Sequence, residues 1–162
     1  MSPPNTQRRS PEEQARLHTE LTELFEKRIT FNTIIGLRVL SLTPGDVRGR
    51  LDMKPELVGH AAYGRLHGGV ISTMLDAMGA LALMVEIGER HPSETAAQVM
   101  HRFARFGTID LRVDYLRQGV GRHFVAHTEV TRLGGRVGST QMKLVNDEGT
   151  VVATAGAAYI VS

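Results

Sequence analysis

The sequence predicts an α+β domain in which one antiparallel sheet wraps a single long central helix. Three observations predict it. Gly68 to Gly88 is apolar almost all round, so it belongs inside the protein. The last third of the chain alternates with a period of two. The turns that break this alternation are short, and short connections favour antiparallel neighbours. The chain has 162 residues, the length of one domain, and can bury a core without a disulfide or metal staple.

The elements follow in order. Residues 1–9 read as a disordered tail. Ser10-Pro11-Glu12-Glu13 opens a helix: Ser10 caps, Pro11 takes the first helical position and Glu13 completes a capping box. Leu17, Leu21, Leu24 and Phe25 then form one apolar stripe, and the helix is expected to end near Arg28. Phe31 to Gly36 reads as a short turn or helix. Leu37, Val39 and, after Leu40, Leu42 mark a strand, and Pro44-Gly45-Asp46 marks a tight turn. Val47, Leu51 and Met53 alternate with Arg48, Arg50 and Asp52, so a second strand pairs back as a hairpin. Residues 55–66 read as a loop. The central helix follows, then a less regular basic stretch over residues 90–107. Strands are expected over Thr108–Leu116, His123–Leu133, Val137–Val145 and Val151–Val161. Residues 1–30 thus form a tail and helix, and residues 31–162 the domain proper. One sheet covers only one side of the helix, and its open edge invites pairing with a second copy.

Composition narrows the chemistry. The chain has no cysteine, which excludes a thiol nucleophile, a Cys-zinc site and an iron–sulfur cluster. Aromatic residues are 5% of the chain and Trp is absent, which argues against base stacking. The net charge is +2, and 16 of the 19 basic residues are Arg. Acidic residues are interspersed with them, so small phosphorylated ligands fit better than a nucleic acid. The start of the chain has no apolar core and does not read as a signal peptide. Val70 to Ile87 contains Asp76 and Glu86 and is short for a membrane span. A cytoplasmic protein with no membrane partner is expected. His123 and His127, four apart, suit zinc on a helix but not so directly on a strand, so no metal site is assigned.

The chemistry concentrates in Gly64-Arg-Leu-His67-Gly68-Gly69-Val-Ile-Ser-Thr-Met-Leu-Asp76. Glycines at a helix start let a ligand approach the backbone, and the first N–H groups there carry the positive end of the helix dipole. Such groups can hold a carbonyl oxygen or a developing oxyanion, although the same pair also makes a plain loop-to-helix joint. Asp76 stands among Met74, Leu75, Ala77 and Met78, where a carboxylate needs a partner or a task. It can serve as general base, as nucleophile or as the cap of a loop N–H. His67 and Asp76 are nine positions apart, about 900° of rotation and about 13 Å along a helix axis. One copy's glycine corner and its own Asp therefore face apart. If the two act together, the site needs two copies.

His67-Gly68-Gly69 with Asp76, then Thr108-Ile-Asp-Leu-Arg-Val-Asp-Tyr115-Leu-Arg117, resembles the hotdog-fold acyl-CoA thioesterases of the PaaI-like subgroup. Val130-Thr-Arg-Leu-Gly-Gly-Arg-Val137 and Val151-Val-Ala-Thr-Ala-Gly-Ala-Ala-Tyr159 continue the likeness, which covers residues 31–161. The long segment at 90–107 and the Tyr159-Ile-Val ending look like the branch acting on medium- and long-chain acyl-CoA.

The resemblance implies a homodimer or dimer of dimers with acyl-CoA as substrate and no cofactor. It implies that the Gly69 N–H polarises the thioester carbonyl and that His67, with Gly68, shapes the corner. Asp76 of the other subunit would activate water or attack directly, with Thr108 near it. Arg117, Arg132 and Arg136 fall where basic residues meet the CoA phosphates. Many members carry an Asn six or seven residues before the His. Those positions here are Ala61 and His60, so either His60 supplies that hydrogen bond or the polar partner is absent. The Met-rich helix is expected to be core and also to wall an acyl tunnel that favours fatty or aromatic acyl groups over charged ones. The expected reaction is therefore hydrolysis of medium/long-chain or aromatic acyl-CoA to free acid and CoA. The alternatives are a non-catalytic acyl-CoA sensor and a hotdog dehydratase or hydratase.

Overall fold

The computed structural model describes residues 8–162. Helix α1 spans Pro11–Glu23 and ends in a π-helical turn, Leu24–Arg28. Helix α2 is Thr30–Ile35, followed by strands β1 (Arg38–Thr43) and β2 (Asp46–Asp52). Two short strands, β3 (Val58–His60) and β4 (Arg65–Leu66), precede the central helix α3, Gly68–Arg90. Helix α4 (Ala96–His101) leads to β5 (Gly107–Tyr115), β6 (His123–Leu133), β7 (Val137–Asn146) and β8 (Val151–Ile160).

Six strands form one sheet in the order β1-β2-β6-β7-β8-β5. Every neighbouring pair is antiparallel. The hotdog arrangement read from the sequence is therefore present, with β1 and β5 as open edges. Along α3, Met74, Leu75, Met78, Leu81 and Leu83 are all fully buried. Each such side chain contributes about 1.5–3 kcal/mol through the apolar area removed from water. Met74 and Met78 press on Gly49 of β2, where a Cβ would lie within 3.1 Å of the Met74 methyl. Both belong to the core of this chain, so the expected tunnel wall is not built from them.

Helix α1 starts as the sequence predicts, with Ser10 Oγ accepting from the Glu13 N–H at 3.2 Å and Pro11 at its start. Leu17, Leu21 and Phe25 are buried. The other half of the capping box is absent, because the Glu13 carboxylate accepts from the Ala96 N–H of α4 at 2.8 Å. The predicted tail lies outside the described residues as far as position 7. Its last residue, Arg9, is not a tail. Its guanidinium donates to the carbonyls of Gly88 and His91 at 3.0 Å and of Glu94 at 2.7 Å. The final carbonyls of a helix lack internal partners, and Arg9 supplies one to Gly88 in the last turn of α3 and one to its C-cap His91.

Two further expectations are corrected. The loop over 55–66 contains the β3–β4 ladder and two 3₁₀ turns, elements too short to show a period. The stretch over 90–107 contains α4, capped by Thr95 and Gln98 in a reciprocal box. That Thr-x-x-Gln spacing was visible in the sequence.

Candidate active site

The glycine corner is built by His67, which caps α3. Its ring Nδ1 accepts the Gly69 N–H at 2.8 Å, so Nδ1 carries the lone pair and the ring proton sits on Nε2. The His67 carbonyl accepts from Val70 at 3.0 Å and Ile71 at 3.1 Å. Of the first four N–H groups, only that of Gly68 has no partner among the described residues. Gly69 is therefore not the free donor expected from the sequence; Gly68 is. Above it, the Tyr115 hydroxyl donates to the Gly68 carbonyl at 3.0 Å. The Tyr115 ring lies 3.4 Å from where a Gly68 Cβ would stand, in ordinary contact distance of the corner.

Asp76 is half-buried, two turns along α3. Its carboxylate Oδ1 accepts from the Thr108 hydroxyl at 2.9 Å, and its backbone carbonyl accepts from the Tyr159 hydroxyl at 2.9 Å. Thr108 owes this contact to a β-bulge. Tyr115, Val113 and Leu111 oppose Ala153, Ala155 and Ala157, three buried residues of β8. Regular alternation would turn Ile109 inward next and Thr108 outward. Instead the register shifts between Thr108 and Asp110, Ile109 is left 54% exposed, and Thr108 faces the buried Tyr159. One extra residue re-aims the hydroxyl toward α3.

Burial, then the Asp76 charge, hold the Tyr159 phenol far above the ordinary tyrosine range, so it remains a proton donor. Sequence reasoning placed Tyr159 at the end of a strand and within the stretches that carry the family resemblance, with no role at the site. No local signal in the sequence pairs it with Asp76.

His67 lies outside the helix as its cap, so helical spacing does not set it half a turn from Asp76. Gly68, the free donor, and Asp76 are eight positions apart, about 800° of rotation or roughly 80° net, so the two do not face opposite ways. They are still about 12 Å apart along the axis, too far for one carbonyl carbon to meet both.

The remaining candidates are dispersed. His60 is exposed and its ring lies tilted against Tyr63 at 4.8 Å between centroids, and the side-chain partners of Asp76 are Thr108 and Tyr159 instead. Arg117 follows β5 at the end nearest Gly68 and donates to the Val151 carbonyl at 3.3 Å. Arg132 and Arg136 are exposed around the β6–β7 turn, at the end where Val137 opposes Ile160. One chain therefore does not gather the three arginines. His123 and His127 lie four positions apart on β6, about 13 Å along a strand, and cannot share one metal ion. No group of three or more His, Asp or Glu that could hold a metal occurs among the described residues.

A thioesterase-superfamily family model matches residues 63–153, which include the glycine corner, Asp76 and Thr108. The chain is 34% identical over 139 residues to the medium/long-chain acyl-CoA thioesterase YigI of Salmonella typhimurium, covering 86% of this chain and 90% of that one. A Shewanella oneidensis protein described as related to the thioesterase superfamily superposes with a TM-score of 0.88 at 34% identity, over 95% of this chain and 100% of the other. The Escherichia coli PaaI protein shares the fold, with a TM-score of 0.70 at 15% identity over 91% and 94% of the two chains. The helix-capping His-Gly-Gly corner, the Asp two turns on and strands β5 to β7 thus sit inside a match longer than half the chain, and the protein belongs to the thioesterase superfamily.

Proposed function

We propose that the protein is an acyl-CoA thioesterase that hydrolyses medium- and long-chain acyl-CoA to the free acid and CoA in the cytoplasm. The observation that carries this is the Asp76 carboxylate, held by the Thr108 hydroxyl on the helix that the His67-Gly68-Gly69 corner opens. YigI, 34% identical, supplies the substrate class.

The working unit is a dimer. Strand β5 is an unpaired edge of nine residues, and Asp76 lies about two turns from its own corner. A second copy pairing along that edge would set the corner of one subunit opposite the Asp76 of the other; two such dimers can pair further. The Gly68 N–H, free where the Gly69 N–H is taken, holds the thioester oxygen and the negative charge that develops on it. Asp76 accepts a proton from water as the water oxygen bonds to the carbonyl carbon. The tetrahedral intermediate then collapses, the C–S bond breaks and CoA leaves with the proton. His67 keeps the corner in shape through Nδ1. The exposed Arg117, Arg132 and Arg136 meet the CoA phosphates from the two ends of the paired sheets, and His60 borders the entrance.

The test is CoA release from acyl-CoAs of short, medium, long and aromatic type, read with a thiol reagent. The cysteine-free protein gives no background. Turnover peaking at medium and long chains and lost in Asp76→Ala is expected. A folded dimer that binds acyl-CoA without releasing CoA would make the protein a sensor. Label from heavy-oxygen water entering the Asp76 carboxylate in a single turnover would make Asp76 the nucleophile.

A further inference from the structure

Thr108 and Tyr159 are direct cross-strand partners on β5 and β8, and both point at α3. Thr108 bonds the Asp76 carboxylate and Tyr159 bonds the Asp76 carbonyl. One rung of the sheet thus grips one residue of the helix at both of its ends. The second bond is not needed by the helix, whose carbonyls already accept the N–H four residues on. A phenol in the core has to lose its water, and phenylalanine would fill the same volume without that cost. The Tyr159 ring is fully buried, and its hydroxyl occupies the space that Gly79 leaves open one turn beyond Asp76. A Cβ on Gly79 would strike that hydroxyl and come within 2.8 Å of Met142 Sδ and 2.9 Å of Thr140 Oγ1.

We propose that Tyr159 is a positioning residue for Asp76, fixing the rotation of α3 against β5 and β8 so that the carboxylate stays in reach of Thr108. The lever is geometric. Side-chain ends lie about 5–6 Å from a helix axis, so a rotation of about 10° moves a carboxylate by about 1 Å. Displacements of that size cost up to about 100-fold in rate when the group must meet a reacting atom. Gly79 is the other half of the device, since only a residue without a side chain admits the hydroxyl to the helix backbone. The inference rests on Asp76 being the group that activates water.

The experiment uses the full chain and steady-state CoA release. Tyr159→Phe is expected to lower kcat about tenfold, the worth of one well-placed hydrogen bond, with KM within about twofold of wild type. Thr108→Val is also expected to lower kcat, and the double variant to lose no more than the worse single one, because both bonds serve one carboxylate position. Gly79→Ala, which displaces the same hydroxyl from the helix side, should reproduce the kcat loss. Wild-type kcat in Tyr159→Phe or in Gly79→Ala overturns the proposal. So do losses that multiply in the double variant, or a raised KM at constant kcat. A wild-type protein that releases no CoA overturns the functional reading and this inference with it; a wild type that turns over beside an equally active Tyr159→Phe overturns the inference alone.

Discussion

Thr108→Val tests the bond that, on the proposed mechanism, holds the Asp76 carboxylate. Valine matches threonine in shape, so the substitution removes one hydroxyl and leaves the strand in place. The lost bond is an O–H donor at 2.9 Å from a carboxylate oxygen. Hydrogen bonds to charged groups contribute about 1.5–3 kcal/mol. Thr108 is exposed, so water competes for the same oxygen and the lower end applies. Some 1.4 kcal/mol is a factor of ten in rate, so kcat should fall about tenfold. Stability should hardly change: exposed substitutions stay within about 0.5 kcal/mol, or roughly 2 °C of melting temperature. The assay is CoA release from a saturating long-chain acyl-CoA, with the melting temperature measured on the same samples. Thr108→Ser, which keeps the hydroxyl, should recover most of the rate. A kcat within twofold of wild type in Thr108→Val, or a serine variant as slow as the valine one, would refute the reasoning.

Two further predictions concern stability. Leu17 is fully buried and its Cδ2 packs on Gly88, so Leu17→Ala should cost about 2–5 kcal/mol and lower the melting temperature by roughly 5–15 °C, with faster amide exchange in α4. Unchanged exchange there would mean that α1 does not brace α4. His127 is held below the ordinary histidine value of 6.5, first by burial and then by the Lys143 and Arg48 charges, against the smaller pull of Asp46. The unfolded chain therefore binds the proton more tightly, and stability falls as the pH drops below about 6.5. The melting temperature of wild type should drop between pH 7 and pH 5, and that of His127→Gln should drop less; equal slopes would refute the assignment.

The legible parts of the site were those whose signal is local. A histidine and two glycines before an apolar helix mark a capped helix start, and a carboxylate among methionines marks a group with a partner. The Ser10-Pro11 start and the Leu17, Leu21 and Phe25 stripe were equally local, and the structure has them. The free donor is Gly68 and not Gly69, because sequence does not say which way a histidine ring turns, and His67 turns onto the Gly69 N–H. Arg9 looked like tail because its partners, the carbonyls at the end of α3, are about 80 positions away.

Sequence alone determined the α+β class, the central helix and the two residue clusters of the candidate site, because periodicity, caps and glycine pairs act over a few neighbouring residues. Only the tertiary structure decided the strand order, which places β5 beside β8 and leaves it as an edge. It alone decided that Ile109 bulges, that Thr108 thereby faces Asp76, and that Tyr159 reaches across Gly79 to the same residue. These contacts join positions 32 and 83 apart in the chain. A single-residue register shift decides which face a side chain takes, and the pairing of strands, not their composition, sets that shift.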